Sequence, residues 1–320
     1  VSLDVSWPSS ASIRGSDRSL WVLLGTLTLL AIAAPWVSPY APERQLDIVA
    51  LRSAAPSWMH PFGTDSFSRD VLSRVLHGAR ISLGFALAAV LLGLVLGTTY
   101  GALTAFAPRT VSTILRRAID VALSIPRLLV LLALTAFLGP LSVWQLVLLV
   151  GFTGWFATAR QVTDELDALQ RREFALAAQA MGVRTARLFH RHLLPHLAPL
   201  LAVTGTFAVA NTIALEAGLS FLGLGIQPPT ASWGTILQDG AGSIESEWWI
   251  TVFPGLATIG AVLLCNILGD ALRDRFAPAH VAGVVTPLPG AIVSTSSDSP
   301  SNDQRAIGDP ESFHRSAPRT

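Results

Sequence analysis

The 320-residue sequence predicts an all-α integral membrane protein with six transmembrane helices, and three observations carry that prediction. Charged residues make up 13% of the chain and hydrophobic ones 51%, too little polar surface for one water-soluble globule of this size. Long stretches carry no charge, among them 81–106 and 128–159. The arginines between such stretches fall mainly on alternate connections, as they do when one side of a membrane collects the basic residues.

In chain order, residues 1–19 read as a cytoplasmic N-terminal segment and 20–37 as the first span. Arg14 and Arg18 ahead of that span, with Ala31-Ile32-Ala33 near its end, also fit a cleavable signal peptide. The apolar run is long for a signal core, and its removal would leave an odd number of spans, so a retained span is expected. Residues 38–80 form a long outer loop of mixed charge. Within it, Gly63-Thr64-Asp65 is expected to cap a helix that exposes Arg69 and Asp70 and turns Val71, Leu72, Val75 and Leu76 to the membrane domain. His60, His77, Asp65 and Asp70 match no compact ligand spacing, so neither a metal site nor hydrolysis is expected there.

Residues 81–106 supply the second span. The stretch 128–159 is too long for one crossing of roughly 20 residues and reads as the end of the third span and the whole of the fourth, turned at Gly139-Pro140. The fifth and sixth spans are 196–221 and 248–269. Gly205, Ala208, Ala210 and Ala217 on the fifth would let helices approach closely at a subunit interface. Trp248 and Trp249 suit an aromatic belt. Residues 279–320 read as a disordered cytoplasmic tail, rich in Ser, Thr, Asp and Pro over 294–301.

No lysine occurs, so arginine alone sets orientation. An N-terminus in the cytoplasm puts Arg109, Arg116, Arg117, Arg160, Arg171, Arg172, Arg184, Arg187, Arg191, Arg273 and Arg275 inside. The turn at 139–142 and the loop at 222–247 then lie outside, without arginine. A multi-pass protein of the cytoplasmic membrane with both termini inside is expected.

Between the fourth and fifth spans, 160–195 forms an inner loop. Glu173 suits the positive pole of a short Ala-rich helix, and Gly182 supplies its left-handed stop. Phe174, Ala178 and Met181 are expected on one small apolar face, too poor for lipid and shaped for a groove on another protein. Inside the membrane, Asp120, Asn211 and Glu216 are candidates for a translocation path, with Arg127 seven residues beyond Asp120 and Pro126 as a kink. The competing reading leaves Asp120 and Glu216 near the interfaces, hydrated or paired with arginines. Cys265, the single cysteine, reads as a packing residue. There is no G-x-x-x-x-G-K-[ST] loop and no metal-spaced Cys/His set, so no ATP site, metal or other cofactor is expected on this chain.

Four strings add a resemblance. Ala177-Ala178, three residues, Gly182, eleven residues and Leu194-Pro195 resemble the "EAA" loop of permease subunits in ATP-binding cassette importers. The Glu of that pattern falls on Leu176, and the nearest carboxylate is Glu173. His60 to Arg80 resembles the loop before the second span in one subunit of dipeptide, oligopeptide and nickel permeases, with Ser68 where a Gly is usual. Ala217 to Gly234, and Trp248-Trp249 through Phe253-Pro254-Gly255 to Asn266–Asp274, are similar to that family's fifth and sixth spans.

The resemblance covers about residues 20–278 and implies the type I importer permease fold. It also implies a transport subunit rather than an enzyme. Glu173, Phe174, Ala177, Ala178, Met181, Gly182, Leu194 and Pro195 would couple it to ATPases. Its implied partners are a second homologous permease, two ATPase subunits that use ATP and Mg, and an extracytoplasmic solute-binding protein, with no nucleic acid. The implied solute is a di- or oligopeptide, with nickel or another small solute as the alternative. Two other classes compete: a proton-coupled transporter using Asp120 and Glu216, and an intramembrane hydrolase using His60, Asp65 and Asp70.

Overall fold

A computed structural model describes residues 36–276 together with Gly25 and Ala33. The expectations for 1–19, for most of the first span 20–37 and for the 279–320 tail fall outside the described residues. The described chain is helical. Its elements are α1 (Val71–Phe106), α2 (Arg109–Ser124), α3 (Arg127–Leu138), α4 (Val143–Gly154), α5 (Phe156–Gln170), α6 (Glu173–Ala180), α7 (Thr185–Leu188), α8 (Leu194–Phe221), α9 (Trp233–Gly240) and α10 (Trp248–Phe276). A π-helical turn at Phe189–Leu193 joins α7 to α8, making one rod of 37 residues.

Three helices are long and apolar enough to cross a membrane, namely Val71–Phe106, Thr185–Phe221 and Trp248–Phe276. A fourth is reached if α2 and α3 count as one bent span. The bend between them is 76°, at Ile125-Pro126, where proline lacks a donor and its ring disfavours helix at the preceding residue. Gly139 (φ +75°) ends α3, and Ser142 starts α4 with a reciprocal capping box to Gln145, the reversal expected near Gly139-Pro140. Each arm is only 12 residues, and α4 runs on through Trp155 into α5.

At 36 residues α1 is about 54 Å long, far more than the apolar run 81–106, because it absorbs the end of the 38–80 segment. Its two ends carry separate cores. Near Val71, the residues Val75 and Ala79 pack with Trp233, Ile236, Trp249 and Ile250. Near Phe106, partly buried Ala102 and Ala105 meet Leu166, Leu188, Leu193 and Leu197. Gly97 and Gly101 let α5 lie directly on α1, since a Cβ on Gly101 would stand 2.8 Å from the Ala159 carbonyl oxygen.

Gly205 and Ala217 of α8 pack inside the chain. Gly205 meets Leu94, and Ala217 meets Gly234 of α9. Trp249 is likewise internal, donating its indole N–H to the Thr64 carbonyl at 3.0 Å, while Trp248 is half exposed. A Cβ on Gly234 would sit 2.6 Å from the Ser220 Cβ and 2.8 Å from the Ala217 Cα, so backbone must move. Gly234→Ala is therefore expected to destabilise by about 1–3 kcal/mol. Gly260→Ala, where nothing lies within 4 Å, should instead gain about 0.5–1 kcal/mol of helix propensity. Thermal unfolding in detergent checks both signs.

Candidate functional site

The loop after α5 folds as a compact unit. Glu173 opens α6 with no side-chain cap from Arg172, and Gly182 (φ +75°) closes it. The Gly182 N–H donates to the Gln179 carbonyl at 2.9 Å and the Val183 N–H to the Ala178 carbonyl at 3.1 Å, the two bonds of a Schellman stop. The chain then turns back through α7, so the Ala175 and Ala178 side of α6 is covered by the cluster of Leu166, Leu169, Leu188 and Leu193.

Here the structure corrects the expected face. Ala178 is buried against its own chain, and the outward set is Phe174, Leu176, Ala177 and Met181, with Met181 77% exposed. A methyl group fits the narrow contact with α7 and α5, whereas Met181 lies past the last turn and cannot reach it. Phe174 stacks on the His196 ring at 5.1 Å. Leu194 is half-buried and Pro195 exposed, where α8 continues from the π-helical turn. Exposed Arg171, Arg172, Arg184, Arg187 and Arg191 surround this surface.

The intramembrane candidates separate. Asp120, on α2, pairs with Arg160 at 3.3 Å and more loosely with Arg117 at 3.9 Å. The bend at Pro126 puts Arg127 on a different helix, so the expectation that Asp120 and Arg127 share one side of a helix fails. Glu216 is fully buried and, among the described residues, has no arginine partner. Its carboxylate accepts from Ser82 Oγ at 2.9 Å and Ser220 Oγ at 2.8 Å, and Ser82 Oγ in turn accepts from the Trp233 N–H at 3.2 Å. Glu216 thus pins α1, α8 and α9 together. Asn211 is exposed on α8 and lines a groove of about 540 Å³ that neither Asp120 nor Glu216 reaches. Gln161, Thr204, Arg127 and Arg273 share that groove. Their sequence positions carry no common spacing that would have announced it.

At the far end of α1 the 38–80 segment is tied down by charge. Asp65 Oδ2 accepts from Arg69 Nε at 2.7 Å and Arg74 Nη1 at 2.8 Å, and its Oδ1 accepts from the backbone N–H groups of Phe67 and Arg69. Both arginines also reach Asp239 of α9, at 3.0 and 2.8 Å. Asp70, not Gly63-Thr64-Asp65, is the N-cap of α1. It accepts from the Ser73 N–H at 2.8 Å and meets His60 Nδ1 at 2.9 Å. The expected exposure of Arg69 and Asp70 is therefore overturned: Asp70 is buried and Arg69 mostly so, because a cap and an ion pair both need their partners close. On the surface of the same segment, backbone N–H groups of Ala50 and Val49 hold the Asp47 carboxyl below the usual carboxylate range. Among the described residues no group of three or more His, Cys, Asp or Glu could hold a metal ion.

The family described as binding-protein-dependent transport system inner membrane component matches residues 89–280. A protein of Brucella suis biovar 1 named for peptide permease function is 40% identical over 259 residues, spanning 80% of this chain and 85% of that one. The di/tripeptide transport system permease protein of Pseudomonas aeruginosa is 35% identical over 278 residues, spanning 85% of this chain and 90% of its own. The dipeptide transport system permease protein of Bacillus subtilis is 35% identical over 274 residues, covering 85% of this chain and 84% of its own.

Proposed function

Since the chain belongs to the family of inner membrane components of binding-protein-dependent transport systems, we propose that it is the permease subunit of an ATP-binding cassette importer of di- and oligopeptides. The observation that carries this reading is similarity to peptide-named permeases along four fifths or more of the chain. In this reading the bundle has six spans: 20–37, α1, the bent pair α2–α3, the α4–α5 arm, α8 and α10. Both termini lie in the cytoplasm.

The loop helix α6 is the coupling helix, docked in a cleft of an ATPase subunit through Phe174, Leu176, Ala177 and Met181. Glu173, Gly182, Leu194 and Pro195 hold its geometry, and Ala178 anchors it to its own chain. A second permease, two ATPases that bind ATP and Mg, and a solute-binding protein outside complete the machine. This chain binds no cofactor of its own. Closure of the ATPase pair on ATP would draw the coupling helices together and turn the paired permeases outward to receive solute.

Purification of the tagged chain from its native membrane in mild detergent tests the assembly. Mass spectrometry is expected to find a second permease and two phosphate-loop ATPases. Recovery of the chain alone, active in proteoliposomes without ATP, would overturn the reading in favour of a proton-coupled transporter.

A further inference from the structure

The groove lined by Asn211 carries more charge than its place in the bundle explains. Arg127 stands at the first turn of α3, twelve residues and about 18 Å of helix from the turn at 139, which in the six-span reading puts it deep within a hydrocarbon core about 30 Å thick. An arginine at such depth costs on the order of 3 kcal/mol unless it serves a polar path.

Its guanidinium is held but not neutralised. Nη2 donates to the Val150 carbonyl at 2.6 Å and Nε to Thr153 Oγ1 at 3.4 Å, while among the described residues no carboxylate lies within ion-pair distance. Gly154 makes the seat, since a Cβ there would come within 2.7 Å of Nη2.

The rest of the groove has the same bias. Arg273 adds a second cation, and Asn211 offers an exposed amide. Gln161 Oε1 is occupied by Thr204 Oγ1 at 2.9 Å, which leaves the Gln161 amide N–H groups to point elsewhere. Among the described residues no Asp or Glu lines it. Two fixed positive charges in a partly desolvated groove repel a bare divalent cation and attract an anion, most strongly one that can take a bidentate bond from a guanidinium. Apolar Leu94, Val203 and Phe207 in the same walls suit the uncharged parts of such a solute.

We propose that this groove is the stretch of the translocation path that takes the carboxylate of the passing solute, with Arg127 positioning it and Arg273 providing the next cation along. The proposal rests on the peptide-importer reading and narrows it to solutes with a free carboxylate, against uncomplexed metal ions.

The test uses the complete importer in proteoliposomes with its binding protein and radiolabelled dialanine. Arg127→Gln should reduce uptake by about tenfold or more while ATPase activity stimulated by the loaded binding protein stays within about twofold, and Arg127→Lys should restore at least about a third of uptake, since it returns charge without the fork. A purely structural role would lower assembly and ATPase activity together. Arg273→Gln, at an exposed position, should cost about threefold in uptake. Uptake by both Gln variants within about twofold of wild type overturns the proposal, and if Arg127→Gln fails to assemble, Arg273→Gln decides on the same threshold. No dialanine uptake by the wild-type importer, despite ATP hydrolysis, would remove the peptide reading and this proposal with it, whereas normal wild-type uptake with unaffected variants removes only this one.

Discussion

Asp65→Ala is expected to be among the most destabilising single changes in the chain, at about 3–5 kcal/mol, because it takes the buried carboxylate away from two largely buried guanidinium groups rather than merely deleting a contact. Asp65 is fully buried and its carboxylate accepts four bonds, two from backbone N–H groups and one each from Arg69 and Arg74. Arg74 is itself 3% exposed, so water cannot replace the lost carboxylate. Asp239 would be left as sole partner to both arginines, from a position 24% exposed and on a different element. Asp65→Asn keeps the acceptor oxygen but not the charge and should fall between wild type and Asp65→Ala. Asp239→Ala should be milder than either Asp65 change, since Asp65 still serves both arginines and solvent can enter. Detergent melting of the three variants gives the order. An Asp65→Ala protein that melts within a few degrees of wild type would show that the network contributes little to holding the 38–80 segment on α1 and α9.

That network marks where sequence reasoning ends. The long apolar helices, the reversal at Gly139, the break at Pro126 and the stop at Gly182 were legible because each is written locally, in runs of apolar residues or in the backbone demands of Gly and Pro. Asp65 and Asp239 lie 174 positions apart in the chain, and nothing in local pattern pairs them. The start of α1 is hidden in the sequence for a related reason: Asp70 looks like one more exposed acid, yet Ser73 and His60 close on it. In the loop helix, spacing alone put Ala178 beside Phe174 and Met181, but spacing does not say which side of a short helix the chain will fold back to cover. The groove around Arg127 is the extreme case, since Gln161, Thr204, Asn211 and Arg273 come from three helices and meet only through packing. The resemblance to known permeases points to the family and to the loop after α5. It could not locate that groove.

Met181→Glu should abolish ATP-driven uptake while leaving the chain folded, and the contrast with Ala178→Glu makes this expectation specific. Met181 is 77% exposed and touches little of its own chain, so a carboxylate there costs the monomer almost nothing. If α6 docks in an ATPase cleft as proposed, the same charge buried there unpaired costs several kcal/mol, enough to release the ATPase or break its grip. Loss of co-purifying ATPase, or of uptake with the ATPase still bound, would each place Met181 on the coupling surface. Ala178→Glu instead drives a charge into the leucine cluster beneath α6 and should lower the melting temperature of the isolated chain. Gly182 separates backbone from surface in the same way. Nothing lies within 4 Å of where its Cβ would stand, so Gly182→Asn, which tolerates a positive φ, should be close to silent, and Gly182→Val should strain the stop by about 1–2 kcal/mol or more. If Met181→Glu transports normally, the outward face of α6 is not where force enters this subunit, and the neighbouring exposed arginines, led by Arg184 and Arg187, become the surface to test.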